Sequence, residues 1–419
     1  MPFSASQWVK TLVSNPVKMK ILNYRIVTCL IAILLVVSCV KQTPHITNPP
    51  PTNPPTVNPL PPHAEDPGDS AAMIYIAGGN TNDVYALDAK TGKLVWNKKV
   101  SGTYTTSAFY NSGLIVVEGF DNNLTAFDSA GKVQWTHQLP GTPQWPFYLP
   151  VAGRGGILYA QDNEDLYAIN VMDGSIKWTF TKPPNEGTGM VVTNRDMVYF
   201  NTGVSHFYAL DAANGQLQWD SWDPVGSTPI VYDNLIYQQG GSGVLVKDAH
   251  TGLLEWTFSQ FLGTVINMNY GRIYDISGAV TDSATGKISY PSMQVHSTAS
   301  VPAGSIYPIL ADSLAITPEG FANAFTGQLN GVPQTSRAIS GAYQSGGTYV
   351  NHIFYYTTSQ RDQYDPYAGG HLYTDVYAYD VRAQKLLWQT SIENGDINFI
   401  EPCVVTKSQQ VYRGAFIYK

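Results

Sequence analysis

The chain has 419 residues, including 37 glycines and 27 tyrosines, a composition typical of many short strands and tight turns. A chain of this length exceeds one ordinary compact domain unless the fold is built from repeats or is a large barrel. The formal net charge is −7. Because nucleic-acid binding needs a basic surface, we expect no nucleic-acid partner.

The N-terminal region contains an apolar run of thirteen residues, 26–38, read as IVTCLIAILLVVS. A transmembrane helix needs about 20 apolar residues, whereas a signal peptide has a shorter apolar core behind a positive flank. Lys20 and Arg25 provide that flank, and Met19 is a natural start for translation. The pattern therefore predicts a signal peptide over residues 1–38.

The apolar run ends at Ser38-Cys39, which resembles the bacterial lipobox. The resemblance implies cleavage before Cys39 and lipidation of its thiol; the alternative is an ordinary signal peptide with an incidental cysteine. Several acyl chains make membrane anchoring effectively permanent. Val40 follows the cysteine in place of the Asp that signals inner-membrane retention. We expect a lipid anchor in the outer membrane, with the chain facing the periplasm.

Residues 39–72 form the next segment, and ten prolines fall between Pro44 and Pro67. With almost no apolar side chains, this segment cannot form a core. It is predicted to be a semi-rigid tether that reaches roughly 90 Å when fully extended at about 3.1 Å per residue. Residues 73–419 are left for the folded domain.

The folded domain is built from a repeated unit. The copies are VYALDAKTGKLVW (84–96), LTAFDSAGKVQW (124–135), LYAINVMDGSIKW (166–178), FYALDAANGQLQW (207–219), VLVKDAHTGLLEW (244–256), GAVTDSATGKISY (278–290), the worn EGFANAFTGQLNG (319–331) and VYAYDVRAQKLLW (376–388). From Trp96 to Trp256 the tryptophans recur at steps of 39, 43, 41 and 37 residues. A period near 40 with strand-like units is typical of a β-propeller.

Within a unit, alternating apolar residues predict one strand, Asp88 a turn, and Gly92 a position with positive φ before the next strand. The aromatic residue that ends the unit is expected to pack between neighbouring blades. Burying one tryptophan there contributes about 4–6 kcal/mol gross. Stacking of these rings on a cofactor is disfavoured, because a ligand needs one or two rings and not one per blade. The six tryptophans are Trp96, Trp135, Trp178, Trp219, Trp256 and Trp388.

The fold class predicted from these units is all-β: an eight-bladed propeller of four-stranded antiparallel blades. The first unit begins near Met73 without an upstream strand, so the C-terminal strands are expected to complete the first blade and close the ring. Seven blades is the alternative if residues 319–331 do not form a blade. We expect the propeller to be monomeric.

The YALDA-TG-LLW pattern resembles the PQQ-type (quinoprotein-like) propeller repeat, and the resemblance covers most of residues 73–419. One branch of that family contains quinoprotein dehydrogenases. The other is non-catalytic and includes the propeller lipoprotein of the outer-membrane β-barrel assembly machinery, to which the resemblance is greatest. The chain lacks adjacent cysteines, a Cys-x-x-Cys-His haem motif and an acidic cluster with calcium-ligand spacing. We therefore assign no catalytic residue, no cofactor and no metal.

Two features are left over by the repeat and form a candidate partner surface. One is an insertion at 359–373 and the other is a pair of tryptophans outside the repeat; Arg and Tyr are enriched at protein interfaces. The residues are Arg361, Tyr364, Tyr367, His371, Trp145 and Trp222.

The function predicted from these features is that of a non-catalytic cell-envelope lipoprotein. Its propeller would be a protein-interaction scaffold with an envelope protein partner, in outer-membrane protein assembly. The alternatives are a quinoprotein-like dehydrogenase and a propeller that binds a small ligand or a glycan. The inserted segment and the tryptophans outside the repeat also fit an ordinary surface loop and plain packing.

Overall fold

The computed structural model describes part of the chain, in ranges separated by short gaps. The ranges are 69–77, 82–102, 108–119, 121–142, 152–187, 189, 191–194, 196–202, 206–222, 229–232, 234–240, 243–258, 265–269, 272–275, 280–282, 288–289, 309–311, 314–317, 320–323, 329–331, 343–361, 372–393, 402–413 and 416–418. Throughout these ranges the regular structure consists of β-strands. They contain no helix with the length and hydropathy of a transmembrane span.

The strands form eight antiparallel sheets. The first sheet contains β1 (Ala71–Ala77), β2 (Asp83–Asp88) and β3 (Leu94–Lys99). The second contains β4 (Phe109–Asn111), β5 (Leu114–Glu118), β6 (Asn123–Phe127) and β7 (Val133–Gln138). The third contains β8 (Ala152–Arg154), β9 (Ile157–Gln161), β10 (Asp165–Asn170) and β11 (Ile176–Thr181). The fourth contains β12 (Val191–Asn194), β13 (Met197–Asn201), β14 (His206–Asp211) and β15 (Leu217–Trp222).

The next four sheets follow the same four-strand order. The fifth contains β16 (Ile230–Tyr232), β17 (Leu235–Gly240), β18 (Gly243–Asp248) and β19 (Leu254–Phe258). The sixth contains β20 (Val265–Asn269), β21 (Arg272–Asp275), β22 (Val280–Asp282) and β23 (Ile288–Ser289). The seventh contains β24 (Ile309–Ala311), β25 (Leu314–Thr317), β26 (Gly320–Asn323) and β27 (Leu329–Gly331). The eighth contains β28 (Tyr343–Val350), β29 (Ile353–Arg361), β30 (Leu372–Asp380) and β31 (Lys385–Glu393).

The three C-terminal strands are β32 (Cys403–Thr406), β33 (Val411–Arg413) and β34 (Phe416–Tyr418). They extend the first sheet, in which β32 pairs antiparallel with β1. The first sheet therefore has six strands in the order β3-β2-β1-β32-β33-β34. The worn unit at 319–331 supplies β26 and β27, so it takes part in a four-stranded sheet like the other copies.

These observations confirm the prediction of an all-β fold made of four-stranded antiparallel sheets. The turn chemistry is also as expected: the Asp88 carboxylate accepts a 2.8 Å hydrogen bond from the Thr91 amide, and Gly92 has a φ of 70°. In the eighth sheet Gln384 occupies the glycine position and retains a positive φ of 51°. The turn geometry is thus kept even where the glycine is lost.

The hydrophobic core is divided into layers between successive sheets. Alternate residues of a strand point to opposite neighbours, so one strand contributes to two layers. Ile74 of β1 packs in the layer shared with the eighth sheet, whereas Tyr75 packs in the layer shared with the second. Val116 and Leu158 meet in the layer between the second and third sheets.

The first strands of successive sheets lie against each other. Contacts join β4 with β8, β8 with β12, β12 with β16, β16 with β20, β20 with β24, β24 with β28, β28 with β32, and β32 with β4. In the first sheet β32 takes the first position, and β1, β2 and β3 follow as the second, third and fourth strands. In every sheet the antiparallel order then places the ends that join the first strand to the second and the third to the fourth on one side. We call this the short-turn end. The second-to-third turns and the crossovers to the next sheet lie at the opposite end, which we call the long-loop end.

Asp69 joins the beginning of the folded region to its end. The buried carboxylate accepts hydrogen bonds from the Thr406 hydroxyl at 2.6 Å, from the Ser408 amide at 2.8 Å and from the Ser408 hydroxyl. Its backbone carbonyl accepts a bond from Asn351 Nδ2 of the eighth sheet. Burial opposes ionisation of Asp69, but the bonds from Ser408 and Thr406 outweigh it and lower the carboxyl pKa. The chain enters the sheets at the short-turn end, since β1 runs from there towards the long loops.

Candidate functional site

The tryptophan that ends each repeat lies on the turn of the following sheet. Its indole N–H donates to a backbone carbonyl at 2.7–3.0 Å, and its ring covers the turn glycine so closely that a Cβ there would fall within 2.8 Å of it. The described pairs are Trp96 with Ser129, Trp135 with Val171, Trp178 with Ala212, Trp219 with Ala249 and Trp388 with Ala89. Trp256 is buried as well. This packing between sheets occupies the rings and leaves them little surface for a ligand.

Two residues of the predicted partner surface lie in the described part of the chain, and both are at the long-loop end. Trp222 is the last residue of β15 and is 66% exposed. Arg361 is the last residue of β29 and pairs with Leu372. Outside the described residues lie Trp145, Tyr364, Tyr367, His371 and the predicted lipidation site Cys39.

Trp222 belongs to a cluster that the fourth sheet and the preceding loop build together. The β14–β15 register places Trp222 opposite His206, and the indole stacks on the imidazole with centroids 4.1 Å apart and planes at 17°. His206 is buried, with Nδ1 2.8 Å from Glu186 Oε1 and Nε2 2.9 Å from Asp220 Oδ2. Tyr208 donates to Glu186 Oε2 at 2.7 Å. We call these five residues the Trp222 cluster.

The contacts within the Trp222 cluster hold in place the imidazole on which the exposed indole stacks. Both ring nitrogens of His206 have carboxylate partners, so the imidazole beneath the indole cannot rotate without losing two hydrogen bonds. Burial, followed by the bond to Glu186, raises the pKa of the Tyr208 phenol, which keeps it protonated as a donor. An exposed aromatic ring with a fixed orientation is characteristic of binding surfaces, because little conformational entropy is lost on contact.

The loop that supplies Glu186 is held to the third sheet by Lys182. This side chain is buried, and its ammonium donates to the backbone carbonyls of Asp162 at 2.7 Å and Gly187 at 2.9 Å. Burial lowers the pKa of Lys182 to about 8, although the surrounding carboxylates oppose the shift. The loop is therefore bonded to the third sheet through Lys182 and to the fourth sheet through Glu186 and His206.

A second group of buried polar side chains lies beside this loop. Asp162, in the turn between β9 and β10, accepts hydrogen bonds from the Gly141 amide at 2.8 Å and from the Tyr167 hydroxyl at 2.7 Å. The bond from Gly141 joins this turn to the crossover between the second and third sheets. Glu118, at the end of β5, is buried between the second and third sheets. Burial, with the nearby charges of Asp162 and Asp121, raises the pKa of Glu118 to about 8.

The long-loop end of the second to fourth sheets carries mainly acidic side chains. The carboxyl groups there are Glu118, Asp121, Asp162, Glu164, Asp165, Glu186 and Asp220. Two lysines lie close to the Trp222 cluster and both are engaged. Lys182 bonds to backbone carbonyls, whereas Lys247 of β18, in the fifth sheet, donates to Ser221 Oγ of β15 at 2.9 Å. Of the carboxyl groups at this end, those of Glu164 and Asp220 are exposed, and Asp220 lies on the same strand as Trp222.

The Trp222 cluster is suited to binding, because it presents an exposed indole that stacks on a buried histidine. Within the described ranges, no three His, Cys, Asp or Glu side chains are placed to hold one metal ion. The sequence pointed to Trp222 because it falls outside the repeat, but it did not single out His206, Glu186 or Asp220. Two signals in the sequence could have found them. His206 is a polar residue two positions before the tyrosine of the repeat, and Asp220 is a carboxylate two positions before a tryptophan outside the repeat.

Comparison with known protein families identifies the repeat. The family model described as outer membrane protein assembly factor BamB matches residues 56–150 and 144–295, together more than half of the chain. The chain belongs to this family. The match includes the second to fifth sheets and the whole Trp222 cluster, so the candidate site lies inside the region shared with the BamB family.

Individual relatives are distant and match only part of the chain. A BamB from Yersinia pestis is 27% identical over 232 residues, which cover 46% of this chain and 56% of the relative. A tetrathionate hydrolase from Acidithiobacillus ferrooxidans is 26% identical over 227 residues, covering 47% of this chain and 44% of the hydrolase. The chain thus spans about half the length of these relatives.

Solved structures share the fold at low sequence identity. BamB from Moraxella catarrhalis aligns with a TM-score of 0.50 and 17% identity, covering 68% of this chain and 88% of that structure. The dihydro-heme d1 dehydrogenase NirN aligns with a TM-score of 0.56 and 14% identity, covering 84% of this chain and 78% of that structure. Because one is an assembly factor and the other a dehydrogenase, these likenesses concern the fold alone.

Proposed function

We propose that this protein is a non-catalytic lipoprotein of the cell envelope whose propeller is a scaffold for a protein partner in outer-membrane protein assembly. The observation that carries the proposal is the Trp222 cluster: an exposed indole, fixed on a buried histidine, in an acidic surface at the long-loop end. Membership of the BamB family and the curated relatives named as assembly factors support the same function.

The architecture proposed for the scaffold is a monomeric, closed, eight-bladed ring. Three observations support closure. The first strands of successive sheets contact each other from β4 round to β32 and back to β4. β32 pairs with β1, and Trp388 of the eighth sheet donates to the Ala89 carbonyl of the first. In this arrangement each sheet is one blade, and the residues that follow the tether form the first blade together with the C-terminal strands.

The proposed topology also orients the binding surface. The tether of residues 39–72 would connect a lipid on Cys39 to the short-turn end, where Asp69 enters the first blade. The long-loop end, with Trp222 and Arg361, is the end of the sheets opposite to the one at which Asp69 precedes β1.

Site-specific photo-crosslinking in cells tests the proposed surface. A photoreactive amino acid at Gln138, exposed at the long-loop end of the second sheet, should give an adduct with an envelope protein. The matched control is Lys90, exposed at the short-turn end of the first sheet. Equal adducts from both positions, or adducts from Lys90 alone, would contradict a partner surface at the long-loop end.

The lipid anchor is tested separately. Cys39→Ser should release the protein from the outer-membrane fraction and abolish incorporation of labelled palmitate, because the thiol is the proposed acylation site. Cys403→Ser is the matched control, since Cys403 is buried in the first sheet and its replacement should leave palmitate incorporation unchanged. Membrane retention of the Cys39→Ser protein would count against the anchor.

A second candidate function is enzymatic, and one comparison favours it: a curated relative is a tetrathionate hydrolase. Glu118 and Lys182 also have pKa values moved to about 8, as acid–base groups in active sites often have. In this chain burial is the largest cause of both shifts, and Lys182 bonds to two carbonyls. Tetrathionate consumption by the purified protein, lost in Glu118→Gln, would establish the enzymatic function.

A further inference from the structure

The Trp222 cluster has a chemistry that narrows the kind of group it can bind. The indole has one face on His206, at 4.1 Å, and with 66% of its surface exposed its opposite face is open to solvent. Asp220 lies two residues earlier on the same strand, so its side chain points to the same side of β15. Its Oδ2 bonds to His206 Nε2, yet 43% of the side chain is exposed.

We propose that the open face of Trp222 and the carboxylate of Asp220 form a binding site for an arginine side chain of a basic protein segment. This inference rests on the proposed function and specifies the chemistry of the partner. A guanidinium is planar and stacks on an indole through a cation–π contact, and a carboxylate close to the ring attracts its positive charge. Asp220 precedes Trp222 by two residues on the same strand, and its side chain is 43% exposed, so its charge acts on a cation at the ring.

The charge around the site favours a cation over an anion or a neutral ligand. Glu186 bonds to His206 Nδ1, and further acidic side chains at the long-loop end are Asp121 in the second sheet and Asp162, Glu164 and Asp165 in the third. Among the described residues two lysines lie near the cluster: the ammonium of Lys182 donates to two backbone carbonyls and that of Lys247 to Ser221 Oγ, and His206 is paired with a carboxylate at each ring nitrogen. A basic segment would therefore meet an acidic surface whose long-range field increases its association rate.

Arginine fits this site better than lysine. An ammonium is a compact, strongly hydrated charge that loses more hydration on an aromatic face than a guanidinium does. A neutral sugar could also stack on the indole, but it would not use the acidic field. A neutral glycan is accordingly the competing occupant that the experiment has to distinguish.

The experiment is a titration followed by fluorine NMR. The purified full chain is labelled with 5-fluorotryptophan, and the Trp222 resonance is assigned from its absence in Trp222→Phe. The probes are a triarginine amide, a trilysine amide and N,N′-diacetylchitobiose, each at low ionic strength. We expect triarginine to shift the Trp222 resonance saturably, with affinity about threefold or more above that of trilysine. Added salt should weaken the binding, because the pair is exposed to solvent.

Variants separate the site from general charge attraction. Asp220→Asn should weaken triarginine binding about fivefold, the size expected for an exposed charge pair. The matched control is Asp173→Asn, an exposed carboxylate in a short turn of the third sheet, which should leave binding unchanged. No shift of Trp222 with triarginine, the same affinity in Asp220→Asn, or a larger shift with the disaccharide would each overturn the proposal.

The titration with triarginine and the crosslinking from Gln138 distinguish a failure of the arginine site from a failure of the proposed function. If crosslinking from Gln138 captures an envelope protein but triarginine does not bind at Trp222, the scaffold function stands and the arginine site fails. If triarginine binds but no partner is captured, the binding site stands without the envelope partner.

Discussion

Replacing Glu118 by glutamine should make the protein more stable, and the gain should grow as the pH rises. Glu118 is buried between the second and third sheets, and its pKa is raised to about 8 by burial and by the charges of Asp162 and Asp121. In the unfolded chain the pKa of a glutamate is near its ordinary value of 4.5. Because the folded-state pKa is the higher one, folding is opposed once the pH exceeds the unfolded-state value.

The size of the effect follows from the two pKa values. With pKa values of about 8 in the folded state and about 4.5 in the unfolded state, linkage predicts a cost of about 1 kcal/mol at pH 5 and about 4 kcal/mol at pH 8. Glutamine has nearly the same shape and does not ionise. The free energy of unfolding of Glu118→Gln, minus that of the wild type, should therefore increase by about 3 kcal/mol across this range.

The assay is urea unfolding of both proteins at pH 5, 6, 7 and 8, since other groups titrate equally in both and cancel in the difference. Glu164→Gln is the control. The pKa of Glu164 is lowered by hydrogen bonds from Thr142, so its loss should not produce a gain that rises with pH. A difference between Glu118→Gln and wild type that stays constant within about 1 kcal/mol from pH 5 to 8 would refute the reasoning.

Two further predictions concern how the sheets are joined. Asp69→Ala should lower the free energy of unfolding by about 2–4 kcal/mol, because the donors of Thr406 and Ser408 lose a buried charged acceptor. The wild type should lose this contribution as the pH falls below the ordinary aspartate pKa of about 3.9, since the folded-state pKa is lower; an acid profile identical to that of Asp69→Ala would argue against it. Gly215→Ala and Gly113→Ala both place a side chain at positive φ, but only the first meets a ring, with its Cβ 2.6 Å from Trp178. Chemical denaturation should therefore show a loss of about 1 kcal/mol for Gly113→Ala and a clearly larger loss for Gly215→Ala, and equal losses would mean that the indole yields.

The repeat made most of the fold predictable from the sequence. Short-range signals such as the alternation of apolar residues, the Asp88 turn and the glycine four residues later are local, because they reflect backbone conformations that neighbouring residues determine. The missing strand before Met73 likewise predicted a contribution from the C-terminus, and β32 pairs with β1. Strand ends were less predictable: β1 begins at Ala71, two residues before the expected boundary.

The candidate site could be predicted only in part. Trp222 was recognisable because the repeat does not explain it, whereas His206 is the first residue of β14 and precedes the repeated unit. Glu186 comes from a loop that has no repeat pattern, and 36 residues separate it from Trp222. Nothing local indicates that these three side chains lie together.

The amino-acid sequence by itself determined the class of fold, the positions of the turns and the tryptophans that join the sheets, since each depends on local backbone preference and period. Only the tertiary structure decided which polar groups are buried and what faces them. The β14–β15 register stacks Trp222 on His206, and the packing of the second sheet on the third surrounds Glu118 with low-dielectric protein. Burial and charge proximity depend on contacts between distant segments, so binding chemistry and pKa values appear only when the sheets are packed together.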